Sequence, residues 1–160
     1  APLSLVYGVP KKKIAADFLS MARNGHNLLM VPGEANAMRP LLRALHKGEL
    51  VGITPDQQPK IGGGEFVSFF GHSALTLTLI AKLAQRSGAP VIFTYSERTA
   101  NGYDVYFEPP DDLIADPDLS IALSAMNRHV QAIAERDFRQ YQWTYKRFSI
   151  RPNPSDKKIY

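Results

Sequence analysis

The stretch LVGITPDQQPKIGGGEFVSFFGHSALTLTLIAKLAQRSG, Leu50 to Gly88, decides how the chain is read. Leu50–Thr54 reads as a buried strand that stops at Pro55-Asp56. Gln57, Gln58, Pro59 and Lys60 lead into Gly62-Gly63-Gly64, and the aromatic run Phe66–Phe70 follows. Phe66–Phe69 also fits a short strand, with Phe70, Gly71 and a capping Ser73 stapling the next element. From Ala74 to Ser87 the spacing predicts the clearest helix of the chain. Leu75, Leu79, Ile80, Leu83 and Ala84 form one stripe, and Thr78, Lys82, Gln85 and Arg86 the other. Ser87-Gly88 closes it. Ligands of open α/β sheets sit at the carboxyl ends of the strands, and Asp56 stands at such an end.

Upstream, Leu3–Tyr7 and Leu28–Val31 read as strands, each stopped by glycine and proline. A helix is predicted from about Lys11 to Arg23, ended by Asn24-Gly25, and a second from an Asn36 cap to Lys47 with Leu41, Leu42 and Leu45 inward. Downstream, PVIFTYSE and YDVYFEP read as strands joined by a hairpin at Asn101-Gly102. A last helix is predicted over Leu119–Arg136. Strands separated by helices imply right-handed βαβ units. The expectation is one α/β domain over 1–160: a mostly parallel sheet, flanking helices and an antiparallel edge hairpin.

Length and composition allow one domain with its own core, at 160 residues and 44% apolar. The absence of cysteine excludes disulfides and thiolate chemistry. No apolar run approaches the length of a membrane span, and no signal peptide is visible. The chain opens without Met directly on a strand, which reads as a piece of something longer. A net charge of +4 points either to an anionic partner or to a solvated basic surface. Lys11-Lys12-Lys13 and the group Lys146, Arg147, Arg151, Lys157 and Lys158 carry much of it. Tyr141, Trp143, Tyr145 and Phe148 interleave with the second group, a pattern that suits stacked nucleobases or a chain end lying near a membrane surface.

The glycine triplet is neither a phosphate-binding P-loop nor a dinucleotide fingerprint, and it reads as a mobile loop or as a close approach to substrate. Asp56 reads as a turn-former or as a functional carboxylate. Phe66, Phe69 and Phe70 read as an ordinary strand and staple, or as a greasy wall suited to an acyl chain. His26, His46, His72 and His129 have no metal-ligand spacing, and no carboxylate–histidine cluster or nucleophile elbow is apparent. His129 fits a buried, hydrogen-bonded position on the last helix.

LLRALHKGELVGITPDQ, GEFVSFFG, LAQRSGAPVIFTYSER and QYQWTYKRFSIRP follow one another here. In that order they resemble the bacterial lipid A biosynthesis acyltransferases, the late lauroyl and myristoyl transferases of lipopolysaccharide assembly. The resemblance runs from Val6 to Pro152. It implies a glycerolipid-acyltransferase-like α/β fold. It implies transfer of an acyl group from acyl carrier protein to a hydroxyl of a lipid A precursor, at the cytoplasmic face of the inner membrane. It implies no metal or organic cofactor and no nucleic acid.

The family's His-x-x-x-x-Asp dyad supplies the general base and its orienting carboxylate. Here the residues five places after the four histidines are Val31, Val51, Leu77 and Ala134, so the dyad is absent from these 160 residues. In the family it lies upstream of the strand matching Leu3–Tyr7. The chain therefore resembles the carboxyl-terminal part of such an enzyme, inactive by itself. Asp56 falls on the aspartate of the family's Pro-Asp-Gln/His motif, with an implied role in orienting acceptor hydroxyls. The implied substrate-binding set is Lys11, Lys12, Gln57, Gly63, Phe66, Phe69, Phe70 and Arg147. Lys11–Lys13 stand in for a basic residue that relatives carry where this chain has Gly8, and WTYKRF replaces the usual Trp-Leu-His-Arg-Arg-Phe. A non-catalytic domain binding anionic lipid or acyl carrier protein, and an acyltransferase acting on another glycolipid, are the alternatives.

Overall fold

The computed structural model describes residues 1–8, 14, 21, 25, 27–33, 36–109 and 111–160. The helix expected over Lys11–Arg23 falls almost wholly outside the described residues, and so do Lys11 and Lys12. The chain divides into two compact units, Ala1–Thr54 and Pro55–Tyr160.

The first unit holds β1 (Leu3–Tyr7), β2 (Leu28–Pro32), α1 (Met38–His46) and β3 (Leu50–Gly52). The strands form a parallel sheet in the order β2-β1-β3, with Leu3 opposite both Leu28 and Leu50. Helix α1 buries Leu41 and Ala44, while Leu42 and Leu45 are only half-buried. Asn36 does not cap it. The residue before the first turn is Ala37, already helical in backbone and without a side-chain cap. Gly48, at φ 73°, ends the turn after the helix, where its N–H donates to the Leu45 carbonyl at 3.0 Å. The expected buried strand at Leu50–Thr54 is shorter and is an edge. It pairs on one side with β1, and Leu50 is 57% exposed.

The second unit holds β4 (Gly64–Phe69), β5 (His72–Leu77), α2 (Leu79–Ser87), β6 (Phe93–Thr99), β7 (Gly102–Glu108), a 3-10 turn (Asp112–Ala115) and α3 (Leu119–Arg136). The helix predicted over Ala74–Ser87 is half strand. Phe70 and Gly71, at φ 50° and 74°, form the two-residue loop between Phe69 and its partner His72. Positive φ at both loop residues gives a primed turn, whose twist matches that of the strands it joins and returns the chain antiparallel. Ser73 therefore lies in β5 opposite Ser68 and caps nothing. The helix begins only at Leu79 and buries Ile80, Ala81, Leu83 and Ala84. It ends at Gly88 in the left-handed region, φ 67°, as the Ser87-Gly88 pair predicts.

Among the described residues the parallel part of the architecture is thus three strands, and the other four form two separate antiparallel pairs, β4–β5 and β6–β7. The β6–β7 hairpin turns on Ala100-Asn101, one residue earlier than expected, with Thr99 opposite Gly102. Helix α3 matches its predicted span, because Asp118 accepts the Ser120 N–H at its start. Its buried stripe of Ala122, Leu123, Ala125, Met126, Val130 and Ala134 packs on β4, and the three alanines let the strand approach closely. Among the described residues no helix is long and apolar enough to cross a membrane.

Candidate functional site

Asp56 sits half-buried in the turn that opens the second unit. Its loop is tied down two residues later. The Gln58 N–H donates to the Tyr145 hydroxyl at 2.9 Å, and Ser149 Oγ donates to Gln58 Oε1 at 2.7 Å. Both anchors belong to the segment Tyr145–Ser149, whose central residue is Arg147. The loop closes with a turn in which the Gly63 N–H donates to the Lys60 carbonyl at 2.9 Å.

Arg147 reads from its charge as a surface residue, yet it is 3% exposed. Its Nη1 donates to the Leu75 carbonyl at 2.6 Å and its Nη2 to Thr76 Oγ1 at 3.0 Å. The guanidinium lies 5.5 Å from the Phe69 ring centroid. Asn127 of α3, 2% exposed, donates from Nδ2 to Thr76 Oγ1 and to the Ser68 carbonyl, each at 3.0 Å. One buried polar network therefore joins α3, both strands of the first hairpin and the segment that holds the Asp56 loop.

Charge reinforces this grouping. Burial pushes the Tyr141 hydroxyl up to about 12, and the Asp56 carboxylate pushes in the same direction. Burial lowers the Arg147 pKa, opposed by Tyr141, Tyr145 and Asp56. Asp56, Tyr141 and Arg147 thus feel one another. Two buried donors, Gln58 Nε2 and Arg147 Nε, have no acceptor among the described residues. The Asp56 carboxylate can accept from a hydroxyl, and an unfilled N–H group can donate to a developing oxyanion.

The remaining candidates separate. Gln57 is exposed. Phe66 and Phe69 point to opposite faces of β4, 38% and 2% exposed, so they do not form one wall. Phe70 is half-buried in the turn, its ring 4.8 Å from Phe69 and 5.5 Å from Trp143. Gly63 is exposed, whereas Gly64 is the glycine that geometry requires. A Cβ there would lie 2.4 Å from the Thr76 carbonyl oxygen and 2.7 Å from Pro59 Cγ. The triplet's close approach is thus to its own hairpin.

One pair escaped the sequence reading. His129 Nε2 lies 3.2 Å from Asp111 Oδ2, and the imidazole stacks on Phe93 at 4.8 Å. The two are 18 residues apart across a helix start, so no spacing rule flags them. Asp111 also accepts the Leu113 N–H at 2.9 Å, which makes it a cap as well as a partner. No group of three or more metal-ligating side chains occurs among the described residues.

The family model described as bacterial lipid A biosynthesis acyltransferase matches residues 6–149. The chain is 31% identical over 121 residues to the lipid A biosynthesis palmitoleoyltransferase of Escherichia coli, covering 73% of this chain and 39% of that protein. It is 30% identical over 118 residues to the lipid A biosynthesis lauroyltransferase of the same organism, covering 72% and 39%. A lipid A biosynthesis acyltransferase of Haemophilus influenzae is 29% identical over 123 residues, covering 76% and 38%. The chain spans well under half the length of these curated relatives. With nine-tenths of its residues inside the matched region, the chain belongs to the bacterial lipid A biosynthesis acyltransferase family.

Proposed function

We propose that this chain forms the acceptor-orienting part of an acyltransferase that moves a fatty acyl group from acyl carrier protein to a hydroxyl of a lipid A precursor. In this reading the fold is of the glycerolipid-acyltransferase type, and the reaction takes place at the cytoplasmic face of the inner membrane. The general base is a His-x-x-x-x-Asp dyad outside these 160 residues. It takes the proton from the acceptor hydroxyl as the oxygen attacks the acyl thioester carbonyl, and the carrier's thiolate leaves. Asp56 holds that hydroxyl in line, with Gln57 next to it in the chain, while Phe70 lies in the β4–β5 turn against Trp143. Lys11 and Lys12 have a proposed role toward the acceptor's phosphate.

The observation that carries the reading is the anchoring of the Asp56 loop. The loop that carries the half-buried Asp56 is fixed through Gln58 to Tyr145 and Ser149, and the buried Arg147 guanidinium feels the Asp56 charge. A turn aspartate with no further task has no need of that frame.

The test is a chimera in which this chain replaces the corresponding segment of the Escherichia coli lauroyltransferase. Acyl transfer is assayed with acyl carrier protein thioester and a lipid A precursor. The 160-residue chain alone is expected to show no turnover and the chimera measurable turnover. Asp56→Asn in the chimera is expected to lower turnover by about 100-fold or more. An Asp56→Asn chimera at full rate removes Asp56 from the site. Turnover by the isolated chain removes the need for an outside base.

A further inference from the structure

We propose, resting on the acceptor-orienting role of Asp56, that Tyr145 is a positioning residue for that carboxylate. Its hydroxyl clamps the backbone of Gln58 and so fixes the loop two residues beyond Asp56.

One phenol holds both backbone groups of one residue. The Tyr145 hydroxyl accepts the Gln58 N–H at 2.9 Å and donates to the Gln58 carbonyl at 3.5 Å. A hydroxyl carries one donor and two acceptor lone pairs, so the two bonds coexist. Ser149 Oγ adds a third, to Gln58 Oε1 at 2.7 Å. The partners lie 87 and 91 positions apart in sequence, so the bonds tie the loop to a distant segment and do not merely close a local turn. In WTYKRF this tyrosine takes the place of the histidine of Trp-Leu-His-Arg-Arg-Phe, which makes the phenol clamp a feature of this chain.

A single exposed hydrogen bond exchanges with water at little cost. This clamp is firmer because its base is buried. Tyr145 and Ser149 flank Arg147, whose guanidinium is bonded to the Leu75 carbonyl and to Thr76 Oγ1 of β5. The Arg147 N–H also donates to the Tyr145 carbonyl at 2.8 Å, and the Ser149 N–H to the Lys146 carbonyl at 3.2 Å. On the loop side, Pro59 lies against Gly64, where a Cβ would come within 2.7 Å of Pro59 Cγ. Two residues of chain reach about 7 Å at most, so Asp56 cannot move far from a fixed Gln58. Pro55 restricts the backbone on its other side. Arg147 and Tyr145 are separable. Loss of Arg147 strands buried acceptors, whereas Tyr145 is 37% exposed and can lose its hydroxyl with its ring left in place.

Tyr145→Phe is the test. In the whole chain the Gln58 amide is expected to exchange with deuterated solvent about tenfold faster, with the β5 amides unchanged. In the chimera with the Escherichia coli lauroyltransferase, kcat is expected to fall by about tenfold, with KM for the acyl carrier protein thioester unchanged. In an Asp56→Asn background the same substitution is expected to change nothing further, because a residue acting through Asp56 has nothing left to position. Tyr160→Phe removes another phenol bonded to this segment, at the Phe148 N–H, and is expected to leave kcat unchanged. Unchanged exchange at Gln58 overturns the clamp, as does full kcat in Tyr145→Phe while Asp56→Asn is impaired; both leave the role of Asp56 standing. A loss that persists in the Asp56→Asn background, or that Tyr160→Phe reproduces, makes Tyr145 merely structural and overturns the proposal. Full rate in Asp56→Asn removes the role of Asp56 and the clamp's purpose with it.

Discussion

The second unit contains two hairpins built to one local plan and used in opposite ways. Both β4–β5 and β6–β7 turn on two-residue loops, and each carries an arginine over an aromatic ring. The first buries Val67, Phe69, Ala74, Leu75 and Thr76. The second buries Phe93 alone, while Tyr103, Val105 and Phe107 of β7 are 63%, 58% and 73% exposed. Arg147, inside the first, satisfies a backbone carbonyl and a hydroxyl. Arg136, outside the second, lies 5.3 Å from the Tyr95 ring and 5.0 Å from Tyr106 and bonds Glu97 at 2.8 Å, with its side chain 45% exposed. The contacts look alike when tabulated by type. What separates them is water: an exposed cation exchanges its partners for solvent at little cost, and a buried one leaves orphaned acceptors when it goes.

The largest effect should follow from Arg147→Met. The substitution keeps most of the volume but strands the Leu75 carbonyl and removes one of the two donors to Thr76 Oγ1. A loss of about 3–5 kcal/mol is expected from denaturant unfolding of the chain. A loss under about 1 kcal/mol would make the two arginines equivalent and end the comparison. Gly64→Ala comes next. Its Cβ meets a β5 carbonyl at 2.4 Å, and strand backbone cannot step aside, so about 2–3 kcal/mol is expected. Gly62→Ala is the control. Nothing lies within 4 Å of that Cβ, and only the φ of 88° resists it, at about 1 kcal/mol. Equal costs at the two glycines would show that the β4–β5 hairpin is looser than its geometry.

Where elements carry their own punctuation, the fold was legible. Helix α3 starts at an Asp118 cap and ends with its stripe, and Gly88 closes α2 in the left-handed region. The first hairpin was not legible, because Leu75, Leu79 and Leu83 happen to fall at helical spacing across a strand–helix junction. Its turn gave no warning either. Phenylalanine at φ 50° follows no turn rule, and it is held by the Phe70 N–H donating to Gln131 Oε1 at 3.0 Å and by rings on either side. The candidate site divides in the same way. Asp56 is a candidate from the sequence because a strand followed by Pro-Asp announces itself. Arg147 reads from the sequence as part of a basic surface because its inward orientation depends on Leu75 and Thr76 lying in a strand. Its buried role follows once β5 is recognised.

Arg136→Met tests the other side of the comparison. It removes the Glu97 bond and the cover over Tyr95 and Tyr106, all at the surface. The unfolding midpoint should move by a small fraction of the Arg147→Met shift, and raised salt should shrink it further. A shift comparable to that of Arg147→Met would show that the second hairpin is held by its arginine after all.

The smallest effect at neutral pH, and the one that reports on Asp56, belongs to Tyr141→Phe. Burial first and the Asp56 carboxylate second raise the Tyr141 hydroxyl to about 12, against an ordinary value near 10. A folded pKa raised above the unfolded one means that the native state favours the neutral phenol. Its contribution to stability is fully present below about pH 10 and is lost as pH rises toward 12, because the unfolded chain ionises first. The Phe variant lacks this term, so wild type minus variant stability should be level to about pH 10 and fall above it. Tyr95 also titrates high, through burial and its bond to Glu108, but it is present in both chains and cancels in the difference. Asp56→Asn should bring the Tyr141 phenolate in at lower pH, seen by its absorbance, while leaving the burial contribution. An unmoved titration would place Asp56 away from Tyr141 and dissolve the electrostatic grouping on which its proposed role rests.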